Sequence, residues 1–165
     1  MTEAQSAQFR RFPANLTRAL LLTAASTDPY LSLGASFAKG RLAPKDRELA
    51  ILRVGALSAS RYERMQHVPI ARGAGWTGQD IAAIESGNGI VLGPRAGTIL
   101  RFVDECVHRV KVSDPTLAAL RQHMSDQEVA ELTLLVGHYM MTARFLETLG
   151  VELDDHPTGW DALLA

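Results

Sequence analysis

Glu63 and His67 stand four positions apart in a stretch with helical patterning. Four residues make a little over one turn, so the two side chains share a helix face with Cβ atoms about 6 Å apart. A carboxylate beside an imidazole is an acid–base pair. The negative charge favours imidazolium and burial opposes it, a balance that lets the pair exchange a proton near neutral pH. The same spacing also occurs as a solvated surface contact, so the pair needs context, and Glu48 supplies it. Glu48 opens the preceding helical stretch, and an antiparallel arrangement of the two helices returns it to the level of His67; read alone, it is a first-turn acid favoured by the helix dipole. Tyr62 offers a hydroxyl or a packing ring. Arg53, Arg64 and Arg72 are cations on the same two stretches, with no spacing that separates them from surface arginines. His138 interrupts an apolar run and reads as a hydrogen-bonded buried histidine, a pocket residue or a subunit contact. Glu48, Glu63 and His67 form an O,O,N set that would also suit iron or manganese. No second histidine lies at helical spacing beside His67, and the favoured expectation includes neither metal nor cofactor.

Period-3.6 patterning and cap signals divide the chain into about eight helices with no alternating strand, an all-α single domain. The first helix is expected over 15–25, and the second over 27–40, with Pro29 near its first turn. The third follows Pro44, with Leu49, Leu52, Ala56 and Leu57 on its buried side. After a break at 58–60 the fourth covers 61–73, where Pro69 predicts a kink or an early end. Thr77 caps a fifth helix reaching Glu85, and 86–89 reads as a turn or mobile loop. The sixth covers 94–110, the seventh starts at 113–115, and the eighth starts at Ser125 with Glu128 completing a capping box. That last helix is apolar around much of its circumference, which fits a central core helix, a subunit interface or both. Segments 1–13 and 155–165 read as peripheral tails.

With 165 residues, 47% of them hydrophobic, the chain can bury one core without disulfides or a structural metal. A net charge of −1, with no block of like charge, lacks the footprint of a nucleic-acid binder and leaves small molecules and protein partners. The one cysteine, Cys106, reads as a small core residue; it excludes a C-x-x-C pair and fits a cytoplasmic setting. Arg10-Arg11 before the apolar stretch 16–25 imitates a secretory signal, but Asn15, Thr17 and Arg18 interrupt it. No stretch reaches the ~20 apolar residues of a membrane span. His108, His123 and His156 read as exposed, and Trp76 as closing the core beneath the fifth helix.

The runs 47–57 (RELAILRVGAL), 62–67 (YERMQH) and 71–77 (ARGAGWT), with 134–141 (LLVGHYMM) and 149–154 (LGVELD), resemble the carboxymuconolactone decarboxylase family, which includes alkylhydroperoxidase D-like proteins. The resemblance extends over about 30–155 and implies an alkylhydroperoxidase D-like helical bundle and a homo-oligomer, whether dimer, trimer or hexamer. In the family's peroxidase-type members a Glu precedes the two cysteines of C-x-x-C by 12 and 15 residues and a His by 19. Counted from Glu48, these offsets fall on Ser60, Glu63 and His67. Both thiols are replaced, so thiol peroxidase or disulfide-reductase activity is disfavoured. The retained residues are similar to the decarboxylase-like branch, which implies a cofactor-independent lyase or isomerase acting on a small carboxylated or enolisable ring compound such as a lactone. In that reading His67 is the electrostatic or acid group, Glu63 the proton relay and Glu48 the orienting contact, while Tyr62, Arg53, Arg72 and His138 are candidates to bind substrate. The alternative is a non-catalytic oligomeric module that binds a small molecule.

Overall fold

The computed structural model describes residues 1–158. Within them the chain forms nine α-helices: α1 (Glu3–Arg11), α2 (Asn15–Leu20), α3 (Thr27–Ser36), α4 (Pro44–Leu57), α5 (Arg61–Gly73), α6 (Gly78–Ser86), α7 (Pro94–His108), α8 (Asp114–Arg121) and α9 (Asp126–Leu149). Short 3-10 turns lie at Leu21–Ser26, Phe37–Lys39 and Gly89–Leu92, and no strand occurs among the described residues. The eight expected helices are α2 to α9. The ninth, α1, lies in a segment expected to be a peripheral tail. It buries no residue of its own, but Phe12 directly after it is 1% exposed and joins a second apolar cluster with Leu16, Leu20, Leu31, Tyr62 and Leu146. The chain there is anchored by one aromatic ring, which single-residue periodicity does not reveal.

Helix α4 is the hub. It starts at Pro44, whose fixed φ suits the first helical position. Every residue from Glu48 to Gly55 is buried, because α5, α6, α7 and α9 all pack around it. A helix covered on all sides is a core helix. The expected buried stripe is therefore corrected at its end: Leu49 and Leu52 are buried, but Ala56 is exposed and Leu57 half-buried.

The break at 58–60 turns through Ala59 at φ +52°, and Ser60 caps α5 by accepting from the Glu63 amide. Helix α5 then runs back antiparallel to α4, bringing Glu48 beside His67 at one level and Gly55 against Glu63 at the other. It does not end early at Pro69; contacts with α4 and α6 hold it to Gly73. The stretch 86–89 is a built turn. Gly87 adopts φ +77°, and a Cβ on Gly89 would lie 2.7 Å from the Gly97 Cα, so backbone crosses backbone there.

Ser125 and Glu128 form the expected capping box, and α9 ends at Gly150 in the left-handed region. One side of α9 is core (Leu132, Leu135, Val136, Leu146), while Leu134, Met141 and Leu149 form an exposed apolar stripe. Trp76 is buried, donates its indole N–H to the Lys45 carbonyl at 2.8 Å and lies beneath the Lys45 ammonium. His108 and His156 are exposed and His123 half-buried.

Beyond Gly150 the chain straps across the start of α2 and the face of α5. The N-cap of α2, Ala14, has no side chain to cap with, and Asp154 takes that role by accepting from the Asn15 amide at 2.7 Å. Asp154 also accepts from the Tyr62 hydroxyl and from Gln66 Nε2 at 2.9 Å, and the Thr158 amide donates to Gln66 Oε1 at 2.8 Å. Residues 155–158, expected as tail, thus lie along α5; the rest of that segment, 159–165, is outside the described residues.

Candidate active site

Glu48 faces inward because α4 has no outward side. Its carboxylate is 2% exposed and accepts from His67 Nδ1–H at 2.8 Å, with Arg47 Nε at 3.5 Å on its other oxygen. Two ionisable groups buried together are costly to separate. An ionised Glu48 requires the proton on Nδ1, which in the neutral ring leaves Nε2 as the basic atom. The Tyr139 ring meets the His67 ring edge-on at 5.1 Å. The expected pairing of His67 with Glu63 on its own helix is therefore corrected: the partner is Glu48, across the helix pair.

Glu63 lies one turn before His67 and packs on Gly55, where a Cβ would stand 3.3 Å from its Oε2. It is 3% exposed, and neither carboxyl oxygen has a hydrogen-bond partner. Burial, reinforced by Glu147, raises its pKa well above the ordinary carboxylate value and so favours the protonated, neutral form. An orphaned buried carboxyl is unusual in a folded protein and calls for a chemical account.

His67 and Tyr139 form the partition between two hollows. The outer one, about 70 Å³, is lined by Phe37, Arg47, Glu48, Ile51 and Ile70 and opens past the end of α3. The inner one, about 10 Å³, is bounded by Glu63, Phe12, Leu16, Tyr62, Thr142 and Leu146, at the lower limit for a single water. A wider depression, about 550 Å³, is an open groove lined by residues from Gly87 to Asp104 that contains none of these acid–base groups.

The remaining candidates separate sharply. Arg53 is consumed by structure: Nε donates to Asp104 at 2.6 Å and Nη1 to the Glu85 carbonyl at 2.7 Å, tying α4 to α6 and α7. Arg72 is exposed, and so is Arg64, which is paired with Glu85. The cation that does line the outer hollow is Arg47, which the spacing argument passed over. Tyr62 lines the inner hollow but gives its hydroxyl to Asp154. His138 is buried as expected, yet neither ring nitrogen is hydrogen-bonded; the ring sits among Tyr30 (4.8 Å), Phe37 (5.3 Å) and Tyr139 (5.3 Å). Burial, then the proximity of His67, lowers its pKa to about 4, so it is neutral at pH 7.

Tyr30 and Thr142 belong to the same buried set. Thr142 donates to the His138 carbonyl at 2.8 Å, which makes Tyr30 the donor in its 2.6 Å contact with Thr142 Oγ1. A hint existed in the sequence: His138, Tyr139 and Thr142 are polar-capable groups clustered within one turn of an otherwise apolar helix. Among the described residues, no three His, Cys, Asp or Glu side chains converge to hold a metal ion. Cys106, on α7, is half-buried, and burial pushes its thiol up to about 11.

No curated protein matches this sequence. A solved structure, the alkylhydroperoxidase AhpD core of an uncharacterized peroxidase-related protein from Ralstonia eutropha JMP134, is similar in fold. Its TM-score is 0.74 over 92% of this chain and 80% of that one, at 17% identity, a likeness that shows the fold alone. Residues 31–105, which carry Arg47, Glu48, Glu63 and His67, match the carboxymuconolactone decarboxylase family. A single all-helical domain of AhpD-like fold, with no thiol at positions 60 and 63, carries its buried dyad inside a segment that is similar to the carboxymuconolactone decarboxylase family.

Proposed function

We propose that this chain is a cofactor-independent acid–base enzyme, a lyase or isomerase that moves a proton to and from carbon on a small carboxylated or enolisable compound. The observation that carries the reading is the 2.8 Å contact between two fully buried groups, Glu48 and His67, at the wall of a cavity. Glu48 fixes the tautomer, and His67 takes a proton from carbon or, as imidazolium, stabilises the oxygen of the enolate that follows loss of carbon dioxide. Glu63 lies behind the partition that His67 forms, so as a proton relay it acts through His67, the one of the two that lines the outer hollow and returns the proton to carbon. The likeness of residues 31–105 to the carboxymuconolactone decarboxylase family supports this reading without fixing the reaction.

The outer hollow, about 70 Å³, is under half the ~150 Å³ that holds a benzene. A short acyclic molecule suits it as it stands; a lactone ring requires the mouth to widen. The small volume also supports the second reading, a module that binds without turnover. Thiol peroxidase chemistry is outside our proposal, because Ser60 and Glu63 carry no sulfur and Cys106 lies on another helix. We place the enzyme in the cytoplasm, on the strength of its lone cysteine, and as a homo-oligomer, for which the exposed Leu134, Met141 and Leu149 stripe is the support. Among the described residues no helix is long and apolar enough to cross a membrane.

The test is solvent deuterium incorporation and carbon dioxide release from a panel of β-keto acids and unsaturated lactone acids, followed by NMR. His67→Ala and Glu48→Gln should each lower turnover by about 100-fold or more, with circular dichroism unchanged. Full activity in either variant would sink the proposal.

A further inference from the structure

We infer that the outer hollow selects short-chain monocarboxylates, bound by the Arg47 guanidinium with the carbon chain directed at His67. The inference deepens the acid–base reading above and rests on it for the use made of the bound molecule. Arg47 is the one arginine among those on α4 and α5 that lines the hollow. Its donors are poorly used: Nε reaches Glu48 only at 3.5 Å and Nη1 reaches the Phe37 carbonyl only at 3.4 Å. Both lie at the outer limit of a hydrogen bond, and a guanidinium has five N–H groups in a planar fork. Its side chain is 16% exposed, enough shielding to strengthen a charge contact while the tip remains at the mouth. Arg53, by contrast, is held by short hydrogen bonds to Asp104 at 2.6 Å and to the Glu85 carbonyl at 2.7 Å.

The charge balance favours one carboxylate. The charged groups lining the hollow are Arg47 and Glu48; Glu48 is held by His67 at 2.8 Å while Arg47 reaches it only at 3.5 Å, so the guanidinium can turn to one incoming carboxylate. A second carboxylate further in would meet Ile51, Ile70 and Phe37 and a His67 ring already paired with Glu48, and would be buried without a cation of its own. Volume sets the length: about 70 Å³ holds about two water-sized groups, so the chain beyond the carboxylate is two or three carbons long.

The test is direct binding, read by ligand-observed NMR and by thermal shift at matched ionic strength, with sodium propionate, propionamide and sodium malonate as probes. Propionate should bind wild-type protein, and propionamide and malonate should bind at least about tenfold more weakly. Arg47→Met should weaken propionate by about tenfold or more, Arg47→Lys by less, since it keeps the charge without the fork, and Arg72→Met should change nothing. If Arg47→Met fails to fold, Arg47→Lys against Arg72→Met carries the comparison. Equal binding of propionate and propionamide, no propionate binding at tens of millimolar, or an unchanged Arg47 variant overturns the inference. Absence of turnover on every compound tried would end the acid–base reading instead, while an Arg47-dependent propionate signal would still uphold this one.

Discussion

Replacing Glu63 by Gln exchanges a neutral acid for a neutral amide of nearly the same shape, and its effect on stability should depend on pH in a way the structure specifies. The folded chain holds the Glu63 proton well above the carboxylate range, whereas an unfolded Glu releases it near 4.3. Between those values the native state binds one more proton than the unfolded state, so stability falls as pH rises, by about 1.4 kcal/mol per pH unit. His138 acts in the opposite sense. Its folded pKa is about 4 against an unfolded 6.5, so the unfolded state binds the extra proton and stability rises with pH across that window, by roughly 3 kcal/mol in all. The two slopes oppose each other from about pH 4.5 upward, for as long as Glu63 keeps its proton in the folded chain, until His138 is neutral in both states near 6.5. In scanning calorimetry Glu63→Gln, which leaves His138 unopposed, should therefore climb more steeply over that window than the wild type, by about 3–6 °C in Tm per pH unit where the difference is full. Parallel Tm curves for the two proteins would show that Glu63 is ionised when folded, and the protonated acid assigned to the mechanism would be lost with it.

Two other expectations need simpler assays. Asp154→Ala removes the acceptor for the Asn15 amide, Gln66 and the Tyr62 hydroxyl, and should cost about 1–3 kcal/mol with faster hydrogen exchange confined to α2 and the start of α5; uniform exchange along the chain would contradict the local role. Cys106, its thiol pushed up to about 11 by burial and Glu105, is thiolate in roughly one molecule in a thousand at pH 8. It should therefore react with iodoacetamide far more slowly than free cysteine, and an equal rate would refute the buried placement.

Helix periods and cap residues were enough to place α2 to α9, because each of those signals is local: Pro44 and Pro94 at helix starts, Ser125 with Glu128, and the turn residues 86–89 after α6. The antiparallel return of α5 on α4 also followed from the short break at 58–60, and with it the approach of Glu48 to His67. What the sequence concealed depends on long-range packing. Glu63 was read as the acid–base partner of His67 from their spacing, with Glu48 as the orienting contact; the packing of Glu63 on Gly55 leaves the hydrogen bond to Glu48 alone. Arg47 and Arg53 are six positions apart on one helix, yet one reaches a cavity and the other a carbonyl cluster, a difference made by the neighbours each meets. Phe12 anchors a segment whose local composition is polar, and no window of residues around it contains the Tyr62 and Leu146 that receive it.

The Asn15–Asp154 contact joins positions 139 apart in the chain. A ribosome releases residue 15 long before residue 154, so during synthesis α2 waits with its leading amide unsatisfied until nearly all of the described chain has emerged. Closure of the inner hollow, whose walls include Leu16 and Tyr62, is thereby deferred to the final stage of folding, after α4, α5 and α9 are already available to assemble around it.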